Sequence, residues 1–124
     1  MNAIIQEKTK AFTAGLADNK AYMMEMSEAK PIMEKKDDNL FIIDIRPEAV
    51  YKKGHIPGSF NFPLANIVDK VEEIPQNKTI LVVCTLDAMS AYATLILHMF
   101  DHKATLVKGG VPAWKEAGGT LEIA

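Results

Sequence analysis

The sequence predicts an α/β protein with a central parallel sheet flanked by helices. Three observations carry this reading. Leu40-Phe41-Ile42-Ile43-Asp44-Ile45 and Thr79-Ile80-Leu81-Val82-Val83-Cys84 are apolar almost throughout and do not alternate, as expected of strands covered on both faces. Helical patterns separate these strands along the chain, the arrangement that yields crossover connections. At 124 residues the chain suits one domain with a short appendage, and it can bury a core without disulfides or metal.

The elements follow in order. Residues 2–17 carry Ile4, Ile5, Phe12 and Leu16 among polar neighbours, the pattern of an amphipathic helix, and Asn19 marks a turn. Tyr22, Met23, Met26, Ile32 and Met33 stand near helical spacing over 22–36, with Ser27-Glu28 and Pro31 as restart signals. Lys35 to Asn39 form a solvated turn before the strand at 40–45. Pro47 to Tyr51 open a short helix that Gly54 ends, Ser59 to Phe62 form a short strand, and Leu64 to Glu73 a helix closed before Pro75. After the strand at 79–84, Asp87 to His102 form the best helix, with Tyr92, Leu95, Ile96, Met99 and Phe100 on one face. Ala104 to Val107 make a further strand, Gly109-Gly110 a turn, and Val111 to Ala117 a last helix. The division expected is an N-terminal helical extension over 1–22 and a domain over 23–124.

Composition narrows the function classes. Hydrophobic residues make up 48% and charged residues 24%, which excludes disorder. Fourteen basic side chains face sixteen acidic ones, spread evenly, so neither nucleic acid nor an anionic membrane is an expected partner. The start lacks a signal-peptide core, and the apolar run Ala91 to Leu97 falls far short of the roughly 18 residues of a membrane helix. The expectation is a cytoplasmic protein, and the single cysteine agrees with a reducing compartment. Arg46 is the one arginine, so it alone can supply a bidentate fork to an anion.

Ligands of open α/β sheets bind beyond the carboxyl ends of strands. Cys84 ends the most apolar strand, and Thr85-Leu86-Asp87-Ala88-Met89 joins it to the longest helix. Loop amides and the positive helix end both favour thiolate over thiol there, giving a nucleophile able to accept and pass on sulfur. A lone cysteine at a strand end is also a small buried hydrophobe, and position alone leaves both readings open. His98 and His102 have the four-residue spacing of helix-borne metal ligands. No third ligand accompanies them, and no metal is expected. Charge at a helix C-terminus accounts for both histidines. Met23, Met24 and Met26 read as core or interface filler.

The wider pattern is more specific. Asp44-Ile45-Arg46 is followed by Gly54-His55-Ile56-Pro57-Gly58-Ser59, by Asn61-Phe62-Pro63, by the strand ending in Cys84, and by Gly109-Gly110-Val111-Pro112-Ala113-Trp114. This series resembles the rhodanese-like (sulfurtransferase) domain over roughly residues 26–120. The resemblance implies a three-layer fold and a persulfide-forming Cys84 in a cradle loop completed by Thr85, Leu86, Asp87, Ala88, Met89 and Ser90. The remaining motif residues have structural explanations. Gly54 and Gly58 allow tight turns and Pro57 fixes the chain between them. His55 holds neighbouring backbone or serves as a pH-sensitive group near the site, Asp44 and Arg46 form an ion pair or bind loop carbonyls, with substrate binding the other role open to Arg46, and Trp114 lids the core.

The loop departs from the family. Active loops there usually carry a cation, a glycine or both, whereas residues 85–90 offer neither and include Asp87. A carboxylate about 5 Å from a bound anion costs about 3 kcal/mol at an effective dielectric of ~20, which weighs against thiosulfate. Asp87 is expected instead to cap the helix through the amides of Met89 or Ser90. Phosphoester-cleaving relatives of this fold place Arg six positions after the cysteine. Residue 90 is Ser, and that reading is rejected.

Two functions remain. In one, a sulfurtransferase without cofactor moves sulfane sulfur through Cys84 from a persulfide, polysulfide or thiosulfate to a small thiol, another nucleophile or a protein cysteine. In the other, the domain is a binding, regulatory or redox-sensing module whose loop has drifted. The helix in 1–22 suits covering a sheet edge, pairing two copies as a homodimer, or docking a partner.

Overall fold

The structure, a computed structural model, describes residues 2–124, so Met1 of the expected extension lies outside it. Five parallel strands form one sheet in the order β1-β5-β4-β2-β3. They are β1 (Met23–Met24), β2 (Leu40–Asp44), β3 (Ser59–Asn61), β4 (Thr79–Val83) and β5 (Lys103–Val107). The register pairs Ile42 with Leu81 and Ser59, and Leu81 with Thr105. Both outer strands are short, two residues at one edge and three at the other.

The apolar runs are explained by the two layers they feed. Phe41, Ile43, Ile45, Ile80, Val82 and Cys84 point to one side, into a core with Ile67, Val71, Ala93 and Leu97. Ile42, Leu81 and Val83 point to the other, with Met26, Ala29, Met33, Val111 and Trp114. A strand packed on both faces has no polar position to alternate with. The first layer holds α4 (Ile67–Lys70) and α5 (Asp87–Met99), the second α2 (Met26–Lys35) and α6 (Gly110–Glu116), and α3 (Glu48–Lys53) links β2 to β3. Among the described residues no helix is long and apolar enough to cross a membrane.

The N-terminal helix α1 (Ala3–Ala14) starts where Asn2 Oδ1 accepts the amides of Ile4 and Ile5. It lies against α5 rather than along a sheet edge. Phe12 stacks on Tyr22 and meets His98 edge-on, and Lys8 Nζ donates to the Met99 carbonyl and to Asp101. Lys20, Ala21 and Tyr22 then run at φ of 52°, 59° and 57°, a left-handed turn costing about 1–2 kcal/mol per residue. Burial of Tyr22 and its hydroxyl bond to the Phe12 carbonyl offset that cost.

Four expectations need correction. The stretch 22–36 is not all helix, because Met23 and Met24 add strand β1 beside β5. The helix expected over 64–73 is an α-helical turn flanked by two 3-10 turns, Leu64–Asn66 and Val71–Glu73, because Asn66 at φ −130° breaks its continuity. Gly54 is extended rather than turned, and its missing side chain leaves room for Leu121. The best helix ends at Met99, and Asp101 turns at φ 66°.

That last turn carries His102 off the helix end and into the core, where it is 2% exposed. Burial lowers its pKa, against weaker opposing effects from the Val71 carbonyl, Asp101 and the Pro75 carbonyl. His102 is therefore not a charged group serving the helix terminus. The unfolded chain binds a proton near pH 6.5 that the folded chain takes up only at lower pH. Stability is then expected to fall as pH drops below about 6.5, by at most one proton's slope of about 1.4 kcal/mol per pH unit. Urea midpoints for the protein and His102→Leu between pH 5 and 7.5 check this. Parallel curves for the two would show that His102 is not the group responsible.

Candidate active site

β4 delivers Cys84 to the carboxyl end of the sheet, 9% exposed and free of any disulfide. Ile80, Val82 and Cys84 alternate onto the α5 face, so the thiol follows the packed side of the strand. The Cys84 backbone is gripped from the far end of the chain. Val111 N–H donates to the Cys84 carbonyl at 2.9 Å. Gly110, at φ 53°, sits so close that a Cβ there would overlap the Cys84 carbonyl oxygen.

Thr85, Leu86, Ala88 and Met89 are exposed, Asp87 is half-buried and Ser90 is buried. The N-cap of α5 is Leu86, whose carbonyl accepts the amides of Met89 and Ser90 and the Ser90 hydroxyl. The expectation that Asp87 caps those amides is therefore wrong. Its Oδ1 accepts the Gly109 N–H at 2.9 Å, 22 residues away. That long-range bond turns the carboxylate onto the Gly109–Gly110 turn and ties the turn to the loop. Among the described residues, no acceptor is bonded to the amides of Thr85, Leu86, Asp87 and Ala88. These four amides follow the thiol within four residues in sequence and are of the donor type that can hold a negatively charged terminal sulfur.

Asp44 and Arg46 form a buried ion pair. Arg46 Nη2 lies 2.7 Å from Asp44 Oδ2, and Nε reaches both carboxylate oxygens at 3.0 Å. Nη2 also donates to the Gly54 carbonyl, so the chain's single guanidinium is occupied in holding the β2–β3 connection. His55 Nδ1 pairs with the Tyr51 carbonyl, and the ring stacks on Tyr51 at 3.9 Å, a backbone-holding arrangement. Trp114 is buried, and its indole N–H donates to the Thr120 carbonyl. His98 Nε2 donates to the Ala104 carbonyl at 2.8 Å.

A family model for the Rhodanese-like domain matches residues 25–117. The chain belongs to the rhodanese-like domain family. Among curated relatives, it is 32% identical over 107 residues to the putative sulfur carrier protein YrkF of Bacillus subtilis, covering 86% of this chain and 57% of that protein. It is 30% identical over 97 residues to thiosulfate sulfurtransferase GlpE of Shewanella oneidensis, covering 77% and 87%. The solution structure of the Rhodanese-like domain of Alr3790 from Anabaena superposes with a TM-score of 0.74 at 26% identity, over 82% of this chain and 79% of that one. The chain spans only 24% to 57% of the length of three curated relatives it matches.

In this rhodanese-like domain a cleft of about 250 Å³ opens beside Cys84, lined by Ile45, Arg46, Pro47, Pro63, Leu64, Ala65, Cys84 and Met89. Of the sequence-derived candidates, Cys84, Met89 and Arg46 meet there, whereas His55 and the Asp44 carboxylate serve the neighbouring backbone and Arg46. Sequence reasoning missed Ile45, Pro47, Pro63, Leu64 and Ala65. The available signal was positional, since they follow the carboxyl ends of β2 and β3 by one to four residues.

Proposed function

We propose that this rhodanese-like domain is a sulfurtransferase whose Cys84 carries sulfane sulfur as a persulfide, with residues 23–124 as the working unit. The reading rests on one observation above the rest: a thiol at the end of β4 followed by four amides that no protein acceptor occupies. A relative named thiosulfate sulfurtransferase at 30% identity and one named putative sulfur carrier protein at 32% support it. In the first half-reaction the Cys84 thiolate attacks the outer sulfur of a donor persulfide. The donor's S–S bond breaks, its thiolate leaves, and Cys84 gains the sulfur. A thiolate acceptor then attacks that outer sulfur and Cys84 leaves as thiolate, with no external oxidant or reductant.

The loop amides hold the terminal sulfur's charge in place of a cationic side chain. Because Asp87 is turned onto Gly109, it does not occupy those amides. Donors are persulfides, polysulfides or thiosulfate, the last disfavoured by the cation-free loop, and acceptors small thiols, protein cysteines or other nucleophiles. Asp44, Arg46 and His55 act as supports for the surrounding backbone.

Intact mass under non-reducing conditions, after exposure to polysulfide, an organic persulfide or thiosulfate in turn, tests this. Cys84 is expected to gain one sulfur atom that cyanide or a thiol removes, and Cys84→Ser to gain none. A folded protein with a free thiol that takes no sulfur from any donor would refute the reading.

A further inference from the structure

The cleft beside Cys84 has a chemical character that the sulfurtransferase reading leaves unused. Pro47, Pro63, Leu64, Ala65, Ile45 and Met89 give it apolar walls. The charged side chain in its lining, Arg46, is ion-paired, and Asp87 of the adjoining loop is bound elsewhere. The Arg46 guanidinium is neutralised by Asp44 and bound to the Gly54 carbonyl, and Asp87 is bound to Gly109. A substrate's charge in the cleft would lose water against walls that are apolar but for Arg46, whose charge Asp44 already balances. An apolar group would be favoured by its own burial. The loop amides and the cleft flank the same thiol, so a persulfide R–S–SH can place its terminal sulfur toward the amides and its R group among Leu64, Pro63 and Met89.

We propose that this cleft selects sulfur carriers whose reacting sulfur bears an apolar organic group, alkyl or aryl, and discriminates against those with charge close to the sulfur. The inference builds on the reading of Cys84 as the reacting thiol. Its selectivity is nonetheless measurable without sulfane-sulfur transfer. Alkyl methanethiosulfonates react as Cys84–S⁻ plus R–S–SO₂CH₃ to give Cys84–S–S–R and methanesulfinate, which breaks one S–S bond and forms another.

The probes are the methyl, ethyl, propyl, butyl and benzyl reagents, with 2-sulfonatoethyl and 2-(trimethylammonio)ethyl as charged counterparts. Each rate is divided by that of N-acetylcysteine with the same reagent. The normalised rate is expected to rise by up to about fourfold per methylene from methyl to butyl. Both charged reagents should fall at least tenfold below butyl. Met89→Lys, at a position 38% exposed and so tolerant of charge, should flatten the chain-length series and speed the sulfonatoethyl reagent. A flat series in the unaltered protein, or a charged reagent as the fastest, overturns the proposal.

Transfer assays with benzyl and carboxymethyl persulfides separate the two readings. Equal loading from both would sink the cleft's selectivity and leave the sulfurtransferase standing. A steep alkyl series with no loading from any persulfide would do the reverse.

Discussion

Arg46→Met is expected to destabilise the protein by about 3–5 kcal/mol, the range for removing one partner of a buried ion pair. Asp44 has 0% exposure, and among the described residues its Oδ2 receives hydrogen bonds only from the Arg46 side chain. Removing the guanidinium leaves a charge with no solvent, and the Gly54 carbonyl loses a donor as well. For a chain this size, thermal unfolding should move down by about 10–20 °C. Adding Asp44→Leu to Arg46→Met should recover part of the loss, because a carboxylate with no partner is worse than an apolar side chain. Recovery stays incomplete, since Asp44 Oδ1 also accepts the Arg46 amide. A single variant within 1 kcal/mol of the unaltered protein would mean that water reaches Asp44.

Gly110→Ala should be at least as severe and should also reach the chemistry. The new Cβ would meet the Cys84 carbonyl, which is backbone at the end of the central strand and cannot rotate aside. The positive φ of 53° adds about 1–2 kcal/mol for any residue with a side chain. Relief requires moving the Cys84 peptide or breaking the Val111-to-Cys84 hydrogen bond. We expect either a chain that does not fold or a folded one with slowed Cys84 alkylation. Gly109→Ala is the control. Its φ of 80° is also left-handed, but its Cβ would meet the Ala113 side chain at 2.6 Å, not the cysteine backbone. It should lose stability and keep more of the thiol's reactivity. Equal reactivity in both variants would show that the grip of Gly110 on Cys84 does not control the thiol.

Burial leaves a plain trace in sequence, and long-range bonds do not. The β2 and β4 runs are legible because two packed faces demand a nearly unbroken apolar run, interrupted in β2 by Asp44, which a half-exposed strand or a loop would not keep. Strand β1 is illegible because two residues cannot show a period, and only their pairing with Leu106 and Val107 makes them a strand. Cys84 is legible from its place after a buried strand, and the Asp44–Arg46 pair from its two-residue spacing. Asp87 misled for a physical reason. At the start of a helix a local cap is the default acceptor role, and nothing nearby in sequence announces that Gly109, 22 residues on, offers its amide instead. His102 misled in the same way, because one left-handed residue, Asp101, redirects it from the helix end into the core.

The shortness of the outer strands bears on how such a unit lives beside others. An open sheet exposes a row of unpaired amides and carbonyls along each edge, and a long row invites a foreign strand. Here the rows are two residues long at β1 and three at β3, too short to template a stable ladder on a neighbour. Two matching relatives are chains more than twice as long as the stretch they share with this one. A sheet with blunted margins can be spliced into such company without inviting intermolecular strand exchange. The same property should keep the isolated domain from aggregating through its edges when concentrated.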